Sequence, residues 1–375
     1  MAPPRTTIPA PAPRLASRSP VTLALVGANA AVFAWVVSRG PVTAAKLVSA
    51  GALERSRVWA GQAWRLLSAA FVHGHWAHLA LNVVGLLVAG PMLEATVGPA
   101  RFLALFTISA IAGSALSLVG QDAVATGASG GLFGIVGALL VLHLRSLGGW
   151  RAFLRSPATW WVLAGLAGSF VGALSWPFTG DTDHLAHAGG LAAGAGVAWS
   201  AGVPAPRRAA VRAAGLAALV ALAAAAVWPR PAPTRFEVEE AADRVAAALR
   251  AEDPAAARAL LARADARGLR SDALDYLRAL LRVQEGAPEE ALPLLDRLAA
   301  SAEPPLRDEI RARGAAVAKM LGYRYYTGDG RPRDAVRGLA YLETSCRLGD
   351  GESCRYAEAI TGRPVTAGVP RGTNP

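Results

Sequence analysis

Charge-poor apolar stretches recur along the first 230 residues, at about Val21–Val37, Trp76–Leu93, Phe102–Val119, Ala128–Leu144, Ala158–Trp176, Leu185–Ala201 and Ala213–Trp228. Stretches of this kind are long enough, as helices, to cross about 30 Å of hydrocarbon. The last is short and nearly all alanine. Beyond Pro229 the pattern changes: Ala and Leu recur at three- and four-residue spacing, with breaks at Asp253-Pro254 and Pro304-Pro305, which predicts amphipathic helices. The expected fold is therefore all-α, a polytopic membrane part followed by a soluble helical part.

Composition and charge sharpen that division. The 375 residues are 53% hydrophobic and 17% charged, too apolar for an ordinary soluble protein of this length. Residues 1–230 carry 16 Lys/Arg against 5 Asp/Glu, and residues 231–375 carry 22 of each. The basic excess lies between apolar runs, which points to a lipid bilayer as partner and argues against nucleic acid. With the N-terminus in the cytoplasm, inner loops hold Arg101, then Arg145, Arg151 and Arg155, then Arg207, Arg208 and Arg212; outer turns hold Asp122, Asp181 and Asp183. The long first loop, with Arg39, Lys46, Arg55, Arg57 and Arg65, breaks this asymmetry. Residues 1–20, Pro/Ala-rich with Arg5, Arg14 and Arg18 and lacking a small-residue cleavage site, are expected to form a disordered cytoplasmic tail.

Polar side chains in apolar segments need a reason, and they gather at the outer ends of segments two, four and six. Segment two begins His73-Gly-His75-Trp-Ala-His78, with Asn82 one turn after His78. Segment four begins Gly127-Ala-Ser129-Gly130, and segment six begins His184-Leu-Ala-His187. Alternating topology puts all three at one depth. A serine hydroxyl needs a base within reach, and the candidates at that depth are imidazoles, so Ser129 pairs with His187 as nucleophile and base. Asn82, His78 and the Ser129 backbone N–H are candidate oxyanion donors. Gly130 with Gly134, and Gly190 with Gly194, permit close helix approach in lipid. Phe133, one turn below Ser129, is placed to pack on the imidazole.

These residues resemble the rhomboid proteases, from about Trp64 to Ala201. The resemblance is carried by Trp64-Arg65, His78-x-x-x-Asn82, Glu94 with Gly98, Gly127-x-Ser129-Gly130-x-x-x-Gly134, and Ala186-His187-x-x-Gly190-x-x-x-Gly194. It implies a six-helix membrane core (residues 21–205) with a Ser129/His187 dyad and no third acidic member. It further implies an oxyanion site including Asn82 and His78, a water-filled cavity opening outward, no cofactor and no metal. The implied activity is endopeptidase cleavage of a membrane-anchored protein substrate in or near its transmembrane segment. Gly127, Gly130, Phe133, Gly134, His184, Gly190, Trp64 and Arg65 are expected to support the site. Residues 206–229 are expected to add a seventh membrane helix, as in some members, and residues 39–62 match nothing specific.

Blander readings stand beside these. Residues 127–134 alone could be a helix-packing run. His73, His75 and His78 suggest a metal, but no cysteine or carboxylate lies nearby; His73 and His75 are expected at the cavity mouth. His184 is expected to neighbour His187 as a hydrogen-bonding group, and His143 to snorkel to the inner interface. The rival function is a catalytically inactive rhomboid-like scaffold that binds transmembrane clients. A channel or transporter is disfavoured by the absence of charge along the segments.

In residues 230–362, Tyr276 to Leu292 resembles a tetratricopeptide-type helix pair. Leu321-Gly322-x-x-Tyr325-x-x-Gly328-x-Gly330, with Tyr341 and Cys346-x7-Cys354, is similar to a Sel1-like repeat. Such arrays bind protein partners; a single irregular helical domain is the alternative. Cys346 and Cys354 are spaced to bridge neighbouring helices, which requires an oxidising compartment. Seven crossings place this domain outside a bacterial inner membrane. Residues 363–375 are expected to be a disordered tail.

Overall fold

The computed structural model describes residues 19–171, 182–228 and 232–365, which are helical apart from turns and one isolated β-bridge between Leu53 and Ala125. The expected tails lie almost wholly outside these residues, as do Asp181 and the end of the fifth apolar stretch at Trp176. The chain divides into two compact units, residues 1–236 and 237–375.

The first unit contains α1 (Pro20–Val37), the short helices α2 (Ala44–Ser49), α3 (Arg55–Trp59) and α4 (Arg65–Ser68), and then α5 (Trp76–Val97), α6 (Pro99–Gly120) and α7 (Ser129–Ser146). It continues with α8 (Trp150–Arg155), α9 (Pro157–Val171), α10 (His184–Ala201) and α11 (Ala205–Val227). Among the described residues five helices are long and apolar enough to cross a membrane: α1, α5, α6, α7 and Arg207–Val227 within α11. This is a multi-pass integral membrane protein. Two expected spans fall short of that measure. α9 is described over only 15 residues, and α10 is built largely of Gly and Ala and carries two histidines. α10 packs most extensively against α7 and α6, and a helix flanked by other helices needs small residues more than lipophilic ones.

The α6–α7–α10 contact is a backbone contact. A Cβ added at Gly190 would lie 1.9 Å from the Gly130 carbonyl oxygen, and one at Gly194 would lie 2.0 Å from that of Gly134. One at Gly113 on α6 would meet the Ala186 carbonyl oxygen at 2.6 Å. Any larger residue at these points would force the helices apart.

Buried polar groups fasten the rest. Near the end of α5, Glu94 accepts the Val21 and Thr22 backbone N–H groups at 3.0 and 2.9 Å and the Thr22 hydroxyl at 2.7 Å. It thereby satisfies first-turn donors of α1 from 72 residues away. The first loop is an ordered platform. Arg65 donates to the Val48 and Ala52 carbonyls at 2.6 and 2.8 Å, and Arg55 donates to the Leu118 and Gln121 carbonyls where α6 ends. These arginines broke the expected charge asymmetry because they serve as internal donors, Arg55 at the electronegative end of a helix. Glu54 caps α3 by accepting from Ser56 and Arg57 N–H at 3.0 and 2.9 Å.

The second unit contains most of α12 (Arg235–Arg250), then α13 (Pro254–Ala266), α14 (Asp272–Gln284), α15 (Pro288–Ser301), α16 (Leu306–Thr327), α17 (Ala335–Arg347) and α18 (Gly351–Thr361). Asp253, Ser271, Asp334 and Asp350 cap α13, α14, α17 and α18 through their side chains. Successive helices from α13 onward pack pairwise. One core gathers Leu295, Ile310 and Leu321, and another gathers Val245, Ala257 and Leu274. The α16–α17 pair closes on Gly338, where a Cβ would meet the Tyr326 backbone nitrogen at 2.6 Å. Cys346 on α17 and Cys354 on α18 are disulfide-bonded.

Candidate active site

Ser129 is the first residue of α7, so its N–H is among the first-turn donors that have no partner within the helix. The turn before it depends on Gly127, whose φ of +113° disfavours any side chain. A Cβ there would also lie 2.6 Å from Nε2 of His78 and 3.7 Å from Nδ2 of Asn82. The edge of the His78 ring and the Asn82 amide therefore both face the backbone two residues before Ser129. The Gly127 N–H is held by the Ala69 carbonyl at 2.9 Å, and Leu53 and Ala125 exchange both backbone hydrogen bonds at 2.9 Å.

His187 is buried, and its ring stacks on Phe133 with centroids 4.0 Å apart and planes 10° from parallel. Phe133 lies four residues after Ser129, on the same face of α7. Three residues after His187, Gly190 seats α10 on the Gly130 carbonyl. The first turns of α7 and α10 thus lie side by side, with Ser129 on one and His187 on the other. Asp183 caps α10 by accepting the Ala186 N–H at 2.8 Å; it also accepts from Gln121 Nε2 at 2.7 Å and from the Ser117 hydroxyl. A carboxylate expected only as an outer-turn charge thus ties the end of α6 to the helix that carries His187. Its N-cap position, an Asp directly before a predicted helix, was the signal available for this role.

On α5, His75 caps the helix by accepting the His78 N–H at its Nδ1, 3.2 Å away. One N–H of the buried Asn82 amide goes to the His78 carbonyl at 2.9 Å, which leaves the second N–H of that group as a donor. His73, expected at the cavity mouth, is instead fully buried and packs edge-on against His78 with centroids 4.9 Å apart. An imidazole next to imidazoles is sheltered from water more readily than a charged group. His184 lies half-buried with its ring centroid 6.4 Å from that of His187. His143, expected to snorkel, sits 3.2 Å from the Ser156 hydroxyl and beside Phe153. Trp64 and Arg65 stand apart from the cluster. They stack on each other at 4.7 Å in the first loop, at the start of α4, which runs into Ala69, the residue whose carbonyl accepts the Gly127 N–H.

The arrangement offers a hydroxyl, a buried imidazole on a neighbouring helix, and amide and imidazole donors around one turn, which are the parts of an acyl-transfer site. Among the described residues no group of three or more His, Cys, Asp or Glu is arranged to hold a metal ion.

Residues 60–203 match the rhomboid domain. The chain is 37% identical over 147 residues to RHOMBOID-like protein 5 of Arabidopsis thaliana, covering 38% of this chain and 46% of that protein. It is 33% identical over 169 residues to the rhomboid protease GluP of Bacillus subtilis, covering 45% and 32%. To the mitochondrial rhomboid protein 1 of Saccharomyces cerevisiae it is 35% identical over 154 residues, covering 36% and 40%. The chain thus carries a rhomboid domain homologous to rhomboid proteases, and it spans a third to a half of the length of these relatives. No family match covers the residues beyond 203.

Proposed function

We propose that the membrane unit is an intramembrane serine endopeptidase with Ser129 as nucleophile and His187 as general base. The observation that carries this reading is the stacking of His187 on Phe133, one helical turn from Ser129, across a contact closed to backbone distance by Gly190 and Gly130. In the proposed reaction the Ser129 oxygen attacks the scissile carbonyl carbon and its proton passes to His187. The Ser129 N–H, the second Asn82 N–H and His78 stabilise the oxyanion. Collapse breaks the C–N bond as His187 returns the proton to the leaving amine, and water then hydrolyses the acyl-enzyme by the same route. The helices around α7 and α10 form the six-helix core of this reading, α11 is its seventh span, and the substrate is a membrane-anchored protein cut near the outer leaflet.

The second unit is proposed as an extracytoplasmic helical-repeat module that binds a protein partner. Its pairwise helix packing, its Gly322/Gly338 approach and its disulfide support that assignment.

Fluorophosphonate labelling of the full-length protein in detergent tests the protease reading. Wild type should label and Ser129→Ala should not, and cleavage of a transmembrane reporter should fall at least about 10³-fold in Ser129→Ala and His187→Ala. Absence of labelling in the wild type, with the protein folded, would overturn it.

A further inference from the structure

The matched domain ends at residue 203, yet groups well beyond it reach back to the first loop and to the turn that leads into the candidate nucleophile. The Thr234 hydroxyl, itself buried, donates to the buried Glu54 carboxylate at 3.1 Å. The Trp59 indole N–H donates to the Ala226 carbonyl near the end of α11 at 3.1 Å. The Arg235 N–H donates to the Asp122 carboxylate at 2.9 Å. Beneath these bonds Ala226, with Leu222 and Val227 against it, shares one apolar cluster with Leu53, Val58, Leu66 and Ala69. All of these contacts lie within the first unit.

The receiving elements lead straight to Ser129. Leu53, next to Glu54, pairs with Ala125, and Ala69 holds Gly127, two residues before the nucleophile. Asp122 begins the same stretch that runs through Ala125 and Gly127 into α7. A short relay of hydrogen bonds, buried at Thr234–Glu54 and exposed at Arg235–Asp122, therefore connects Thr234 and Arg235 to the 122–128 turn from two sides. A mere anchor needs only an apolar helix in lipid and no bonds to this turn.

We propose that the end of α11 and residues 232–235 are a positioning element of the active site, with Thr234 and Glu54 as its central pair. They hold the first loop and the 122–128 turn in the register that presents Ser129 to His187. The inference rests on the Ser129/His187 reading for its functional consequence.

The test uses full-length protein in proteoliposomes, with Thr234→Val, which keeps shape and removes the hydroxyl, and Thr234→Ser, which restores it. Trp59→Phe serves as an independent second variant that spares Glu54 and its α3 cap. Two readouts are taken: the rate of Ser129 labelling by a fluorophosphonate, and amide hydrogen exchange across residues 44–73 and 122–128. Thr234→Val and Trp59→Phe are each expected to slow labelling by about tenfold, the scale of one lost buried hydrogen bond. Exchange should rise in 44–73 and 122–128 and not in α1 or α5, and Thr234→Ser should restore both readouts. Unchanged labelling and exchange in both variants, or a rise spread evenly over the whole unit, would overturn the proposal. Failure of the protease reading is distinguishable, because it removes wild-type labelling while the exchange pattern still reports on the relay.

Discussion

In the membrane unit the tightest helix contact, α7 on α10, is made by residues without side chains, Gly130 and Gly134 against Gly190 and Gly194. In the C-terminal unit the α15–α16 contact is made by Leu295, Ile310 and Leu321, all fully buried. The difference follows from the two solvents. In water each buried apolar side chain contributes roughly 25 cal/mol per Å² removed from solvent, so large side chains drive association. Lipid tails are as apolar as leucine, so helices there gain by close backbone packing and by satisfying polar groups. The first solution gives stability that tolerates small shifts. The second gives distance control, which a site split between two helices requires.

Substitutions at five positions can break or sharpen this contrast. The largest stability effect is expected for Leu295→Ala, which should destabilise the C-terminal unit by about 2–5 kcal/mol in denaturant unfolding. Fluorophosphonate labelling of Ser129 should be unaffected. Gly194→Ala should do the reverse. A Cβ 2.0 Å from the Gly134 carbonyl oxygen must push α10 from α7, and a displacement near 1 Å is expected to lower cleavage on the order of 10²-fold. Gly215→Ala, where a Cβ meets nothing within 4 Å, is the matched control and should retain full activity.

Glu94→Ala should cost about 1–3 kcal/mol, because it leaves first-turn donors of α1 buried without an acceptor. Glu94→Gln, which keeps one acceptor oxygen, should recover part of that loss in thermal unfolding of the membrane unit. The smallest effect concerns pH. Burial alone would raise the Asp350 carboxyl, but hydrogen bonds from Ser353 and the nearby Lys319 ammonium override it and hold the group below the usual carboxylate range. A depressed folded-state value means the contribution is present above the unfolded value of about 3.9 and is lost as pH falls through the folded one. The melting temperature of the C-terminal unit should therefore drop on acidification below about pH 4, and Asp350→Asn should flatten part of that drop.

How far the site could be read beforehand depended on the range of each interaction. The His78/Asn82 pair, the Ser129–Phe133 face and the Gly-x-x-x-Gly runs are written at helical spacing, so their common faces follow from 3.6-residue periodicity. The burial of His73 was not legible because a histidine before the first turn of a helix has no periodic signature of burial. The first loop had no legible role because its arginines bond carbonyls of other elements, Arg55 reaching residues 63 and 66 positions away.

The sequence by itself determined the division into a strongly apolar part and an amphipathic, charge-rich part, the helical class of both, and the residue types able to carry acyl transfer. Each of these follows from local composition and period, which act within a few turns. Only the tertiary structure decided that Glu94 closes the first turn of α1, that Asp183 joins α6 to the turn bearing His187, and that Thr234 reaches Glu54 across 180 positions. Such contacts join groups that no periodicity relates, and which donor meets which carboxylate is settled only when the helices have packed.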